Sequence, residues 1–502
     1  MTEPTEDGWR RLSPLMLAVH PAHELLRQLP LLIGAVAVGS ATQNPLLTLL
    51  GAAAIMAVGV ARWFTTSYRI GPDDVELRTG VLQRKALSVP RNRIRSVSTD
   101  ARPLHRLLGL TVLRVSTGQQ ARGDNAFELD AVEAKHVAAL RHELLARASA
   151  APDPGAPAAP VAVLARWQPS WLRYSPLSWS GLVMILGGWG LIAQAGLGET
   201  VLGSAAGVFT GASASLVAAA AVAAVLGASV LLAVGQSLLS YANLTLTRSA
   251  DTLNLTHGLL RVREHSYDMS RLRGATVREP LLVRALGGAR LDAVMTGVHG
   301  AGEASLLLPP CPRDTVRGVL AGLIGRDDVV AGPVVSHGPV AARRRWVRAL
   351  ALPVAVGLAL AALAGWVPVW VWPVWAGGTG VCALLAADRV RALGHRVDSR
   401  WLVARRGSVA RRRDCLQTAG VIGWTVRQTF FQRRAGVATL VAATAAGTKR
   451  YLVVDIPAAD AWAVAATASP WVAQSSWCES GEIAPPGVDP ARGASFSTRR
   501  HF

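Results

Sequence analysis

Hydrophobic positions along this chain follow two regimes: long unbroken apolar runs, and shorter stretches in which apolar and polar residues alternate. The runs come in three pairs, about 29–42 with 45–61, 177–197 with 213–239, and 349–366 with 367–387. A bilayer crossing needs about 20 residues with few charges, so the pattern predicts six transmembrane helices in three hairpins, at 29–62, 177–240 and 349–387. The first run is short and would have to thin the bilayer or let Arg27 and Gln28 snorkel.

The alternating regime follows each hairpin, at 63–150, 241–326 and 388–470. In "DDVELRTGVLQRKALSVP" (Asp73 to Pro90) the period of two turns over at Thr79-Gly80, which predicts a β-hairpin. "LTVLRVST" (Leu110 to Thr117) predicts another strand, matched by "ARLDAVMT" (Ala289 to Thr296) and "VATLVAAT" (Val437 to Thr444). Each segment closes on a helical pattern: "DAVEAKHVAALRHELLARA" (Asp130 to Ala148), "PRDTVRGVLAGLIG" (Pro312 to Gly325) and "PAADAWAVAATA" (Pro457 to Ala468). Short strands closed by one helix outline a small capped barrel.

The three segments repeat one another in register. "PLHRLLGL" (Pro103 to Leu110), "LLVRALGG" (Leu281 to Gly288) and "FFQRRAGV" (Phe430 to Val437) each carry Arg in fourth place and Gly in seventh. Counted from Gly80, Gly258 and Gly407, the arginines Arg106, Arg284 and Arg433 lie 26 positions on, and Gly109, Gly287 and Gly436 lie 29 on. Ile94, Leu272 and Val421 all fall 14 after those anchors, which are themselves 178 and 149 residues apart. The repeat is therefore a module set between hairpins of different length rather than a solenoid period. The fold class expected is an α+β membrane protein, six transmembrane α-helices in three hairpins plus three β-barrels, each capped by a C-terminal helix. The rest reads as an N-terminal segment 1–28, a Pro/Ala-rich linker 151–176, a linker 327–348 and a disordered tail 471–502.

Charge sharpens this picture. The chain is 51% hydrophobic yet carries 52 Lys and Arg against 32 Asp and Glu, so oil and positive charge are segregated along it. That points to a membrane protein with basic flanks. With few stacking aromatics among the basic stretches, no nucleic-acid partner is expected. Only Lys85, Lys135 and Lys449 are lysines. The turns inside the three apolar pairs contain no Lys or Arg, which places both termini and the large connections in the cytoplasm and the chain in the bacterial plasma membrane. The first 24 residues hold Glu3, Glu6, Asp7 and Glu24, and no cleavable signal peptide is expected.

No phosphate-binding loop, H-E-x-x-H or G-x-S-x-G is present. The cysteines Cys311, Cys382, Cys415 and Cys478 never form a C-x-x-C pair, and His299 with Glu303 has nothing to complete a metal site. No catalytic residue, cofactor or metal is assigned, and the chain is expected not to be an enzyme. Nine arginines lie between Asp388 and Arg413, and Arg343, Arg344, Arg345 and Arg348 precede the fifth apolar run. Near an anionic leaflet each such charge is worth about 1 kcal/mol. The candidate lipid- or partner-facing residues are Arg93, Arg106, Arg271, Arg284, Arg343, Arg344, Arg345, Arg405, Arg406, Arg411, Arg412, Arg413 and Arg433. The repeat glycines Gly80, Gly109, Gly258, Gly287, Gly407 and Gly436 are structural candidates.

The run from Ser67 to Thr117 resembles the bacterial pleckstrin-homology (PH) domain of the YdbS/YdbT type, through Gly80, "VPRNRIRSV" (Val89 to Val97) and "RLLGLTVL" (Arg106 to Leu113). The second segment keeps "SRLRGA" and "RALGGARL"; the third keeps "RRAGVATL" but has Gly420 where Arg93 and Arg271 stand. The resemblance implies a PH-like bent barrel of seven strands with a C-terminal helix, in a three-domain, YdbT-like arrangement. It does not imply phosphoinositide binding. The function expected is a non-enzymatic scaffold or binding protein at the membrane surface, with anionic lipids of the inner leaflet as partners. It would assemble with itself or with a smaller PH-domain membrane protein, in membrane protection or envelope stress. The alternative is a transporter or exporter component whose hairpins line a path.

Overall fold

The alternation about Thr79 is realised as paired strands, with Val75 and Leu77 buried while Arg78 between them and the turn is exposed. The computed structural model describes residues 9–11, 64–116, 127–145, 161–177, 214–296 and 305–474, without 72, 80–84, 92–93, 95, 102 and 250, and in addition 183, 185–187 and 190.

One order of elements occurs three times. The two-residue strand β1 (Arg10–Arg11) precedes the first copy, which runs β2 (Ser67–Ile70), β3 (Asp74–Thr79), β4 (Lys85–Pro90), β5 (Ser96–Ala101), α1 (Pro103–Leu107), β6 (Leu110–Ser116), β7 (Phe127–Glu133) and α2 (Ala134–Leu145). Then β8 (Ala162–Arg166) and the long helix α3 (Ala214–Tyr241) lead into β9 (Thr245–Arg248), β10 (Thr252–His257), β11 (Val262–Asp268), β12 (Leu272–Pro280), α4 (Leu281–Ala285), β13 (Gly288–Met295), β14 (Leu306–Pro312) and α5 (Arg313–Ile324). Helices α6 (Asp327–Ala331), α7 (Gly338–Ala362) and α8 (Val371–Ala392) precede the third copy: β15 (Gly394–Val397), β16 (Trp401–Arg406), β17 (Ala410–Gln417), β18 (Val421–Arg427), α9 (Phe430–Arg434), β19 (Val437–Thr444), β20 (Arg450–Pro457) and α10 (Ala458–Ala468). The repeated sequence motif is thus a five-residue helix and the turn after it. Gly109, Gly287 and Gly436 end that turn at φ of 65°, 73° and 66°, a left-handed conformation that costs glycine nothing.

The strands of one copy do not close on themselves. The chain divides into two compact units, Met1–Arg271 and Leu272–Phe502, and the boundary falls inside the second copy, between β11 and β12. The first unit holds a sheet β1-β2-β3-β4 and a seven-stranded sheet β7-β6-β5-β11-β10-β9-β8. The second holds a six-stranded sheet β14-β13-β12-β17-β16-β15 and a sheet β18-β19-β20. The last three strands of one copy therefore continue into the first three of the next, through β5 with β11 and β12 with β17.

Both junctions use one register. Val262, four after Gly258, faces Ala101, 21 after Gly80; Ala410, three after Gly407, faces Pro280, 22 after Gly258. The two intervals add to 25 in each case, for every pair along both junctions. Gly274 shows how close the second junction is: at φ 146°, a Cβ there would collide with the Cys415 carbonyl of β17.

Each copy also recruits a strand from before its apolar segment. β1 pairs with β2, β8 pairs with β9, and Val335 bridges to His395 of β15. The segment 151–176, read from the sequence as linker, thus contributes β8 as well as the buried Trp171 and Tyr174. Tyr68, Val97, Leu113, Phe127 and Leu129 form the core of the first unit with the inner face of α2, Val137 and Leu140. In the second, Leu402, Leu416, Leu440, Tyr451 and Ile456 pack with Ala461, Val464 and Ala465 of α10, the i, i+3, i+4 face of an amphipathic helix.

Six transmembrane helices are not borne out. Among the described residues two helices are long and apolar enough to cross a membrane, Ala223–Tyr241 within α3 and Gly338–Ala362, which is α7. The runs at 29–42 and 45–61 lie outside the described residues, as does most of 177–197. α8, expected as the sixth span, falls short because Gly377, Gly378, Thr379 and Gly380 dilute its apolar character and Asp388, Arg389 and Arg391 occupy its last turns. It pairs with α7, with Trp375 Nε1 donating to the Pro353 carbonyl at 2.9 Å. The described architecture is thus one of antiparallel sheets shared between copies, not three self-contained barrels on six spans.

Two histidine clusters are buried in these sheets. His337 and His395 share a hydrogen bond (Nε2 to Nδ1, 3.0 Å), and His337 Nδ1 lies 2.8 Å from the Val454 carbonyl. His265 stacks between His257 and Tyr267 in the second copy.

Gly274→Ala should cost about 3 kcal/mol or more, through a backbone collision at a positive φ, read as a lower melting temperature of the full chain; an unchanged transition would contradict the junction. Burial, reinforced by the neighbouring histidine, depresses His265 and His395 to about 4, from an ordinary value of 6.5. The unfolded chain therefore binds protons first, and stability present above pH 6.5 falls as pH drops toward 4, by up to about 3 kcal/mol for each group. Melting temperatures between pH 7 and 4.5 should fall steeply, and His395→Asn should flatten the slope.

Candidate functional site

The chemistry of this chain is concentrated where one copy meets the next. At the first junction Arg261 straddles Asp100, its Nε donating to Oδ1 at 2.6 Å and its Nη2 pairing with Oδ2. Asp100 is buried on β5, and Arg261 comes from the turn before β11, so the pair clamps the two copies together. At the second junction the Thr276 hydroxyl donates to Asp414 Oδ1 at 2.8 Å, both groups buried.

The repeated motif contributes the same kind of contact. Arg106 Nη1 donates to the Leu259 carbonyl at 2.8 Å, in the turn of the second copy. Arg284 Nη2 reaches Asp388 Oδ2 at 2.8 Å at the end of α8, and Arg411 Nη2 holds the other oxygen of the same carboxylate at 2.5 Å. The neighbouring Leu281 amide donates to the Val409 carbonyl in the turn of the third copy. In the first copy, then, the motif arginine contacts the copy that follows, and in the second it contacts the end of the helix that leads into the next copy.

Most of the other arginines singled out by sequence meet internal acceptors. Arg344 and Arg345 lie 3.3 and 2.8 Å from Asp455, which is fully buried and also accepts from Gln432 at 2.8 Å. Arg406 and Arg412 flank Asp414 at 3.9 and 3.7 Å. Arg405 donates to the Ala392 carbonyl, Arg413 to those of Val329 and Gly332, and Arg271 pairs with Asp268. Arg343 and Arg433 are exposed. Arg93 and Gly80 lie outside the described residues. Gly258 and Gly407 take φ of 110° and 93° in the turns that the junctions abut.

Sequence reading missed the acceptors Asp100, Asp388, Asp414 and Asp455. The signal is scarcity: Asp388 and Asp414 are carboxylates inside an arginine-rich stretch, and a carboxylate that is buried needs a charged partner. It also missed Gly274 and Gly423, both 16 positions after their anchor glycines. Among the described residues no three His, Cys, Asp or Glu side chains converge on a metal site. What the arrangement can do chemically is capture a β-strand by its edge, with ionic clamps setting the register.

One such edge, at the end of the repeat, has no strand paired on it among the described residues. Beside β18 lies a groove of about 430 Å³ lined by Gly423, Trp424, Thr425, Val426, Trp462, Trp471 and Val472. Along the corresponding edge of the second copy, β12 is paired with β17.

The family described as bacterial PH domain matches residues 24–148 and 345–470, half of the chain. No curated protein and no solved structure matches. The two matched stretches contain the first and third copies, and the copy between them, outside both matches, has the same order of strands and helices. The chain belongs to the bacterial PH-domain family.

Proposed function

We propose that this protein is a non-enzymatic scaffold of the YdbT type, which holds joined PH-like repeats at the plasma membrane for other chains to bind. The observation that carries this reading is the apolar surface left bare on α7, α8 and the turn between them. Leu352 is 73% exposed, Leu358 68%, Trp366 89% and Val369 85%. A bare apolar surface of this kind marks contact with lipid or with another protein. Trp366 and Trp370 cluster at the turn between the helices, where indoles suit the headgroup region. At the opposite end of α7 the exposed Arg343 and Arg348 sit where anionic headgroups would attract them.

The arginine pairs support a scaffold rather than a lipid-headgroup receptor. Arg344, Arg345, Arg406 and Arg411 meet carboxylates of their own chain, so their charge stiffens the assembly of repeats. Partners of this scaffold are a second copy or a smaller PH-domain membrane protein, which offers the same strand edges.

In cells expressing the full chain, alkaline carbonate washing of the membranes should leave the protein in the pellet. Leu352→Glu combined with Leu358→Glu should move it toward the supernatant. Complete release of the unaltered chain would overturn membrane attachment.

A further inference from the structure

The two internal junctions obey one rule: the fourth strand of a copy pairs with the third strand of the copy after it, in one register. The rule leaves two edges over. β4, the third strand of the first copy, and β18, the fourth strand of the last, end their sheets with no strand paired on the outer side among the described residues.

Both edges carry marks of a pairing that is not made among the described residues. Ser266 and Cys415, eight after their anchor glycines, are each 1% exposed beneath the junctions, whereas Ser88 at the same place on β4 is exposed. Val97 and Ala275, 17 after theirs, are buried, whereas Trp424 on β18 is half-buried and lines the open groove. β18 keeps the bulge that β12 has at the same point, between Val421 and Gly423 as between Leu272 and Gly274. Gly274 needs to be glycine because β17 passes against it; a Cβ on Gly423 would meet only the Ala443 Cβ, at 3.9 Å. The last copy therefore has the glycine of the second junction at that place, where the first junction carries Ser96 opposite Tyr267, and no strand is paired there among the described residues.

We propose that β18 of one molecule captures β4 of a second copy of this chain, continuing the internal rule head to tail. This names a partner for the proposed scaffold and rests on that reading only in taking the repeats as surfaces that bind other chains. The occupant follows from continuity with the two junctions: β4 is the strand that stands, in the first copy, where β11 and β17 stand in the others. The register follows too, with Gly423 opposite Val89, Thr425 opposite Leu87 and Arg427 opposite Lys85. Pro90 falls beyond the positions that either internal junction pairs, so its missing N–H interrupts nothing. Arg427 and Lys85 bring like charges together, as Arg278 and Arg412 do in the second junction. Screening them makes added salt strengthen the contact. Such a contact is heterologous and builds either a closed ring or an open chain of molecules.

The test uses the full chain in detergent or nanodiscs. Mixed Arg427→Cys and Lys85→Cys proteins should give a dimer-sized disulfide band under mild oxidation, while each variant alone, wild type, and the off-register mixture of Arg427→Cys with Ser88→Cys should not. Gly423→Val should keep the wild-type melting temperature and abolish both self-association in sedimentation and the crosslink. The proposal is overturned by a wild-type monomer at tens of micromolar, by equal crosslinking off register, or by self-association that survives Gly423→Val. Carbonate retention of the same variants reports on membrane attachment separately, so loss of assembly with retained attachment sinks this inference and leaves the scaffold reading standing.

Discussion

A strand at the edge of a sheet presents a row of amide and carbonyl groups that must find partners in water, in side chains or in another strand. In this chain the fourth strand of each of the first two copies meets that need with the third strand of the next copy. The consequence is that the repeat of the sequence and the unit of the fold do not coincide. The second copy is divided between two compact units, because its strands pair more extensively with neighbouring copies than across its own middle.

Charge is organised around the same junctions. A chain with 52 basic and 32 acidic residues can bury few carboxylates, and it buries several where copies or elements meet: Asp100, Asp414 and Asp455. Removing one partner from a buried pair leaves an uncompensated charge at a cost of about 3–5 kcal/mol. Such pairs discriminate between registers more than they add stability, since a strand shifted by one residue would strand Asp100 without Arg261. Of the arginines that look like a basic membrane patch in the sequence, Arg344 and Arg345 meet Asp455, and Arg406 and Arg412 meet Asp414.

A repeated arginine in a short motif invites the expectation of a repeated binding site. The contacts of Arg106 and Arg284 give it another meaning, as the hand each copy extends toward the next, while Arg433 in the last copy is exposed. The exposed apolar surface of α7 and α8 and the edge of β18, unpaired among the described residues, are then separate features.

Much of this was legible beforehand. Alternation about Thr79 specified strands, the i, i+3, i+4 spacing in the closing helices specified which face is buried, and constant intervals from Gly258 and Gly407 specified three equivalent copies. These are local properties, set by periods of 2 and 3.6 residues that any reader of the chain can count. Which strand pairs with which across copies was not legible, because pairing between segments more than 100 residues apart is decided by edges that only folding exposes. The destination of each arginine was hidden for the same reason, since Arg284 and Asp388 are 104 positions apart in sequence and 2.8 Å apart in space. The sequence by itself determined the module and its repetition; the tertiary structure decided that the modules share their sheets, because an unpaired strand edge is satisfied by whatever matching edge the fold brings beside it.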